Sequence, residues 1–139
     1  MSDAPLCPET GLPMVRGART VRLSYKTESA TFDMPGWYAD GSAEGIHTPE
    51  DTGVSDRVLA AMKIRADRLL PPEEVRRIRR GLGLSQREAG QVIGGGPNAF
   101  QKYESGEILT SKAVSNLLRV LDAYPDALTR LREVEGAGS

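Results

Sequence analysis

The chain has 139 residues, of which 39% are hydrophobic and 27% charged, values typical of an average soluble protein. Its formal net charge of -1 gives no global basic signal for nucleic acid, although the local distribution of charge matters more than the sum. The absence of a long apolar run predicts no transmembrane helix. The first residues have neither the basic n-region nor the apolar h-region of a signal peptide. The single cysteine, Cys7, cannot form an internal disulfide, so we expect a cytoplasmic protein.

Residues 14 to 38 are predicted to form a β-hairpin. Apolar and polar residues alternate in two runs on either side of the polar stretch 26–29, and the apolar members are Val21, Leu23, Tyr25, Ala30, Phe32 and Met34. Pro35 and Gly36 are expected to end the second run, with Trp37 and Tyr38 forming a further short strand. Residues 39–53 are rich in Gly, Pro, Asp and Ser, which predicts a loop.

A connecting helix is predicted over residues 53–70. Its apolar stripe consists of residues spaced by three and four positions, namely Val58, Ala61, Met62 and Leu69. Pro71 and Pro72 end this helix and allow a new one to begin. We therefore expect a small β-rich domain at 1–52 and an all-α domain at 71–139, which together make an α+β protein.

The C-terminal domain is predicted to contain about five helices. Ser85 followed by Glu88 is a capping box that begins the second helix, and Gly94–Gly96 is a tight connection to the third. The expected helices are 72–82, 86–93, 97–105 with Gly106 at its end, a fourth capped by Thr110 or Ser111, and 126–134.

Two short helices joined by a glycine-containing turn are typical of a helix-turn-helix, which binds DNA. Between Arg76 and Lys102 there are six basic residues and one acidic residue. Asn98 and Lys102 are four residues apart and share one face of the third helix, whereas Phe100 and Tyr103 face the domain interior. An amide can bond adenine through two atoms, and lysine can reach the acceptors of guanine. Asn98 and Lys102 are therefore the candidate base-reading residues.

Further contacts with DNA are expected around the same helices. Free N–H groups at a helix N-terminus attract phosphate, which makes the start of the second helix a candidate backbone contact. The residues concerned are Ser85, Gln86 and Arg87. Arg79 in the first helix is expected to contact phosphate, and Gln101 lies next to Lys102 on the third helix.

Each of these residues also has a plainer interpretation. Asn98 could satisfy the backbone amides at its helix start, and Lys102 could be a solvated surface lysine. Ser85 and Gln86 could serve only to cap the second helix. The arginine run in the first helix could be an ordinary solvated face.

The segment from Leu84 to Gly106 resembles the Xre/Cro type of helix-turn-helix and, within that class, the MqsA antitoxin family. The resemblance is carried by the core Gly-Gly-Gly-x-Asn-Ala-Phe-x-basic-Tyr-Glu-x-Gly and extends over most of residues 72–132. It implies that Asn98 and the basic residue at position 102 read bases. The family usually has arginine where this chain has Lys102, and lysine lacks the bidentate fork of arginine.

The N-terminal half is similar to the toxin-binding domain of the same family, which carries two Cys-x-x-Cys pairs that hold zinc. Here the first pair reads Cys7-Pro8-Glu9-Thr10 and the second reads Ala39-Asp40-Gly41-Ser42. A structural zinc site needs four good ligands, and three of the four thiolates are missing. We therefore expect no structural zinc and no other cofactor.

The resemblance implies an antitoxin of a type II toxin–antitoxin system. Such a protein would bind a palindromic operator as a homodimer, repress its own operon and neutralise an MqsR-like ribonuclease toxin through its N-terminal half. The alternative is a stand-alone regulator without a toxin partner. One histidine, one cysteine and no motif that pairs a nucleophile with a base argue against an enzyme.

Overall fold

The computed structural model describes residues 4–137 and has an α+β fold, as expected from the sequence. The chain divides into two compact units between Ala66 and Asp67, here called the N-terminal unit and the C-terminal unit. The first three and last two residues of the predicted domains lie outside the described residues. Within residues 4–137 no helix is long and apolar enough to cross a bilayer.

A three-stranded antiparallel sheet forms the centre of the N-terminal unit, with the strand order β1-β2-β3. The predicted hairpin is confirmed: β1 (Val15–Tyr25) pairs with β2 (Glu28–Tyr38) along its whole length. Its turn is tighter than expected and is made at Lys26, whose φ of 53° is left-handed. The strand β3 is the short segment Gly45–Ile46.

The expectation that Pro35 and Gly36 end the second strand is wrong. Both residues lie inside β2, where Pro35 is opposite Ala18 and Gly36 is opposite Gly17. The carbonyl of Pro35 accepts a hydrogen bond from Nδ1 of His47 at 2.9 Å. A Cβ atom on Gly36 would lie only 2.7 Å from that ring, so glycine is required by close packing rather than by a turn. The predicted loop 39–53 likewise contains β3 and the start of a helix.

The helix α1 (Pro49–Asp67) begins several residues before the predicted start. Thr48 Oγ1 accepts from the backbone N–H of Asp51, and the Asp51 carboxylate accepts from the N–H of Thr48. This is a capping box with proline at the first helical position. The buried Asp51 also receives two hydrogen bonds from Arg16, at 2.8 and 2.9 Å, which tie the start of α1 to β1.

Five helices form the C-terminal unit, the number expected from the sequence. They are α2 (Pro72–Gly81), α3 (Gln86–Val92), α4 (Ala99–Ser105), α5 (Lys112–Ala123) and α6 (Ala127–Ala137). Their shared core consists of buried apolar side chains from every helix, among them Val75, Ile78, Ala89, Phe100, Leu118, Leu121 and Leu128. A single apolar core therefore holds the short α3 and α4 in place.

Candidate nucleic-acid interface

The start of α3 is fixed by the capping box predicted from Ser85 and Glu88. Ser85 Oγ accepts from the N–H of Glu88 at 3.0 Å, and Glu88 Oε1 accepts from the N–H of Ser85 at 3.1 Å. The hydrogen bonds from Ser85 lower the pKa of the Glu88 carboxyl. Ser85 and Arg87 are exposed, which leaves the first turn of α3 open to an approaching anion.

A run of three glycines connects α3 to α4, and all three have φ between 91° and 127°. Inside α3, Gly90 lies against this turn, and a Cβ atom at that position would fall 1.8 Å from the carbonyl oxygen of Gly96. The N–H of Gly96 also donates to the carbonyl of Gly90 at 3.3 Å. The helix α3 and the turn that leads into α4 therefore meet at a distance that only glycine allows, which fixes the position of α4.

The helix α4 has one buried face and one exposed face, as predicted. Phe100 is fully buried and makes an edge-to-face contact with Tyr103, with ring centroids 5.3 Å apart. The exposed side chains include Asn98, Gln101 and Lys102. Asn98 occupies the N-cap position but makes no capping hydrogen bond with its side chain, so the plainer interpretation of this residue is wrong.

A buried ion pair connects α2 to α4. The guanidinium of Arg79 donates to both carboxylate oxygens of Glu104, at 2.7 and 2.8 Å, and to the carbonyl of Leu84 at 2.9 Å. The side chains of Arg79 and Glu104 are 11% and 1% exposed. Burial opposes ionisation of Glu104, but the hydrogen bonds from Arg79, Gln86 and Arg76 outweigh it and lower the pKa of the carboxyl.

This geometry argues against the expectation that Arg79 contacts phosphate. All of its hydrogen bonds point into the domain, where they hold α4 and the α2–α3 connection against α2. Gln86 is also less available than expected, because it is half-buried and hydrogen-bonds to Glu104. Both residues support the helix-turn-helix from within.

The other basic residues of this region differ in whether they form ion pairs. Arg77 pairs with Glu74 and Asp122, and Arg76 approaches Glu104 at 3.3 Å. In the part of the chain that the structure describes, Arg80, Arg87 and Lys102 are exposed and make no ion pair. These three exposed charges are the candidates in this unit for contact with phosphate.

Comparison with known proteins now defines the family. The model described as "Antitoxin component of bacterial toxin-antitoxin system, MqsA" matches residues 3–132. The chain belongs to the MqsA antitoxin family. The Antitoxin MqsA of Escherichia coli (strain K12) is 32% identical to it over 124 residues, which cover 86% of this chain and 92% of that relative.

In this MqsA-family antitoxin the four positions of the expected zinc ligands come together. Cys7 and Ala39 lie in one buried cluster, and the hydroxyls of Thr10 and Ser42 lie near the Cys7 thiol. The side chain of Thr10 has the largest of the effects that lower the pKa of this thiol. One thiol, two hydroxyls and a methyl group do not make a zinc-binding set, so the residues present do not fit the metal.

Two features of this antitoxin were not predicted from its sequence. The partner of Arg79 could have been found, since Arg79 follows Val75 by four residues and so lies on the buried stripe of α2. The contact between Gly90 and Gly96 had a weaker signal, namely a glycine inside a short helix.

Proposed function

We propose that this chain is an antitoxin that binds operator DNA as a dimer and represses its own operon. Membership of the MqsA family supports the antitoxin role and indicates a regulatory protein rather than an enzyme. The observation that carries the DNA-binding proposal is the exposed face of α4, where the side chains of Asn98, Gln101 and Lys102 make no ion pair or side-chain hydrogen bond with any of residues 4–137.

In this proposal α4 enters the major groove. Asn98 bonds an adenine through its amide, and Lys102 reaches the O6 and N7 acceptors of a guanine, with Gln101 beside them. Arg87 and the free N–H groups at the start of α3 contact the phosphate backbone, and Arg80 adds a further basic side chain. Arg79 takes no part, because its guanidinium is held by Glu104.

A second copy of the chain completes the operator complex. Apolar side chains exposed on α5 and α6 support a dimer contact in the C-terminal unit, and they are Val120, Tyr124 and Val134. A two-fold dimer would bind a palindrome whose half-sites are about 34–36 Å apart.

Binding to DNA is tested by fluorescence anisotropy with duplex from upstream of the chain's own gene and with random duplex. Lys102→Ala should lower operator affinity roughly 5- to 100-fold. The matched control is Arg22→Ala, which removes the same charge from an exposed side chain on β1 in the N-terminal unit, and it should bind like the parent. Equal losses of operator affinity for the two variants would argue against base recognition by α4.

The N-terminal unit is proposed to neutralise a toxin of the MqsR-like ribonuclease type. Exposed apolar residues near the start of β1 support a protein contact there, and they are Leu6, Leu12 and Val15. The test is co-expression and co-purification with the product of the neighbouring reading frame. Relief of toxicity supports the antitoxin role, whereas no toxic neighbour and no co-purified partner would favour the stand-alone regulator.

A further inference from the structure

The turn that contains Cys7 closes tightly around its sulfur. The N–H of Cys7 donates to the carbonyl of Leu12 at 2.8 Å, and the N–H of Gly11 donates to the carbonyl of Cys7 at 2.7 Å. The hydroxyls of Thr10 and Ser42 approach the thiol from two different loops. Ala39 is buried in the same cluster as Cys7 and Met14. The four expected ligand positions thus lie together around one buried thiol.

Arg19 on β1 holds the second loop of this cluster. Its guanidinium donates to the carbonyl of Ala39 at 2.8 Å and to that of Ser42 at 2.5 Å, so one planar group joins both ends of the loop. The same guanidinium stacks over Tyr38, 4.6 Å from the ring centroid. A fixed positive charge at this place would also repel a divalent cation.

We propose that the N-terminal unit is a metal-independent form of a zinc domain, in which Arg19 and the Cys7 hydroxyl contacts replace the metal–thiolate bonds. Arg19 acts at the place where the metal would lie. All four expected ligand positions meet here, and Arg19 binds the loop that contains two of these positions, Ala39 and Ser42. The fold of this unit, and any partner binding that depends on it, then does not respond to zinc.

The first experiment uses the full chain and its single tryptophan. Trp37 packs against the cluster of Cys7, Met14 and Ala39, so its fluorescence reports unfolding of the N-terminal unit. We expect no stoichiometric zinc by elemental analysis, and the same fluorescence midpoint with zinc chloride or with a chelator. One zinc per purified chain, or a midpoint lowered by the chelator, would overturn the proposal.

The second experiment removes the guanidinium. Arg19→Ala should lower the Trp37 midpoint by several degrees or prevent the unit from folding. The matched control is Arg22→Ala on the same strand, where the guanidinium has only an exposed contact with Ser29 at 3.3 Å. Equal effects for the two variants would show that Arg19 does not hold the loop.

A triple variant tests whether the four positions meet in metal-binding geometry. Thr10→Cys, Ala39→Cys and Ser42→Cys together restore four thiols, and the folded variant should bind one Co²⁺ with thiolate-to-cobalt absorption and become sensitive to chelator. The parent chain should give no such absorption. A folded triple variant that binds no cobalt would contradict the convergence on which the proposal depends.

Discussion

Replacing Glu104 by glutamine should unfold the helix-turn-helix far more easily than its small change in shape suggests. In the parent, the Arg79 guanidinium donates hydrogen bonds to both carboxylate oxygens of Glu104 in a site that is almost closed to solvent. In Glu104→Gln one of those oxygens becomes an NH₂ group, which is a donor and faces another donor. The positive charge of Arg79 then stays buried without compensation.

The magnitude follows from the cost of an unpaired buried charge. Breaking such a pair costs about 3–5 kcal/mol. For a domain of this size each kcal/mol lowers the melting temperature by about 4–8 °C, so the midpoint should fall by at least about 12 °C. Replacing both partners, Arg79→Met with Glu104→Met, removes the uncompensated charge and should recover most of the loss.

The assay is thermal unfolding followed by circular dichroism at 222 nm, since five of the six helices belong to the C-terminal unit. Trp37 fluorescence serves as a separate readout of the N-terminal unit. Arg77→Ala is the control, because it removes the exposed ion pairs of an arginine on the same helix. The reasoning is refuted if Glu104→Gln melts like Arg77→Ala, or if the double methionine variant is less stable than Glu104→Gln.

Three further predictions concern the same unit. Gly90→Ala should destabilise it strongly because of the contact with Gly96, whereas Gly81→Ala, which has open space, should melt at or slightly above the parent. Ser85→Ala should lower the free energy of unfolding by about 1 kcal/mol, as measured by chemical denaturation. An unchanged midpoint would mean that the cap is dispensable. The folded pKa of Glu104 is below its ordinary value of 4.5, so its ion-pair stability is complete above that pH and is lost as pH falls through the folded pKa. The stability gap between the parent and Glu104→Gln should therefore shrink below about pH 4.5, and a gap that widens would contradict this assignment.

The helix-turn-helix could be predicted well because its signals are local. The capping box of Ser85 and Glu88 and the terminal Gly106 mark helix ends within a few residues, and all are found in the structure. The burial of Phe100 follows from helical spacing in the same way. Arg79 was misplaced because a run of arginines was interpreted as one surface, although the phase set by Val75 and Ile78 turns Arg79 inward.

The N-terminal unit was harder to predict because its decisive contacts join distant residues. Gly36 lies within β2, opposite Gly17 and against His47, and both of these residues are distant in sequence. The contacts of Arg19 with Ala39 and Ser42 join residues 20 and 23 positions apart, and no periodic pattern indicates them. The start of α1 was predictable in principle, since Thr48 and Asp51 have the spacing of a capping box.

Asn98 provides the most direct test of DNA reading by α4. The measurement is the ratio of operator affinity to random-duplex affinity, at one fixed salt concentration, for the parent and for Asn98→Ala. We predict that Asn98→Ala weakens binding to the operator by about 1–3 kcal/mol and relaxes base preference at one position, while binding to random duplex is unchanged. Equal losses on both duplexes, or no loss on either, would contradict it.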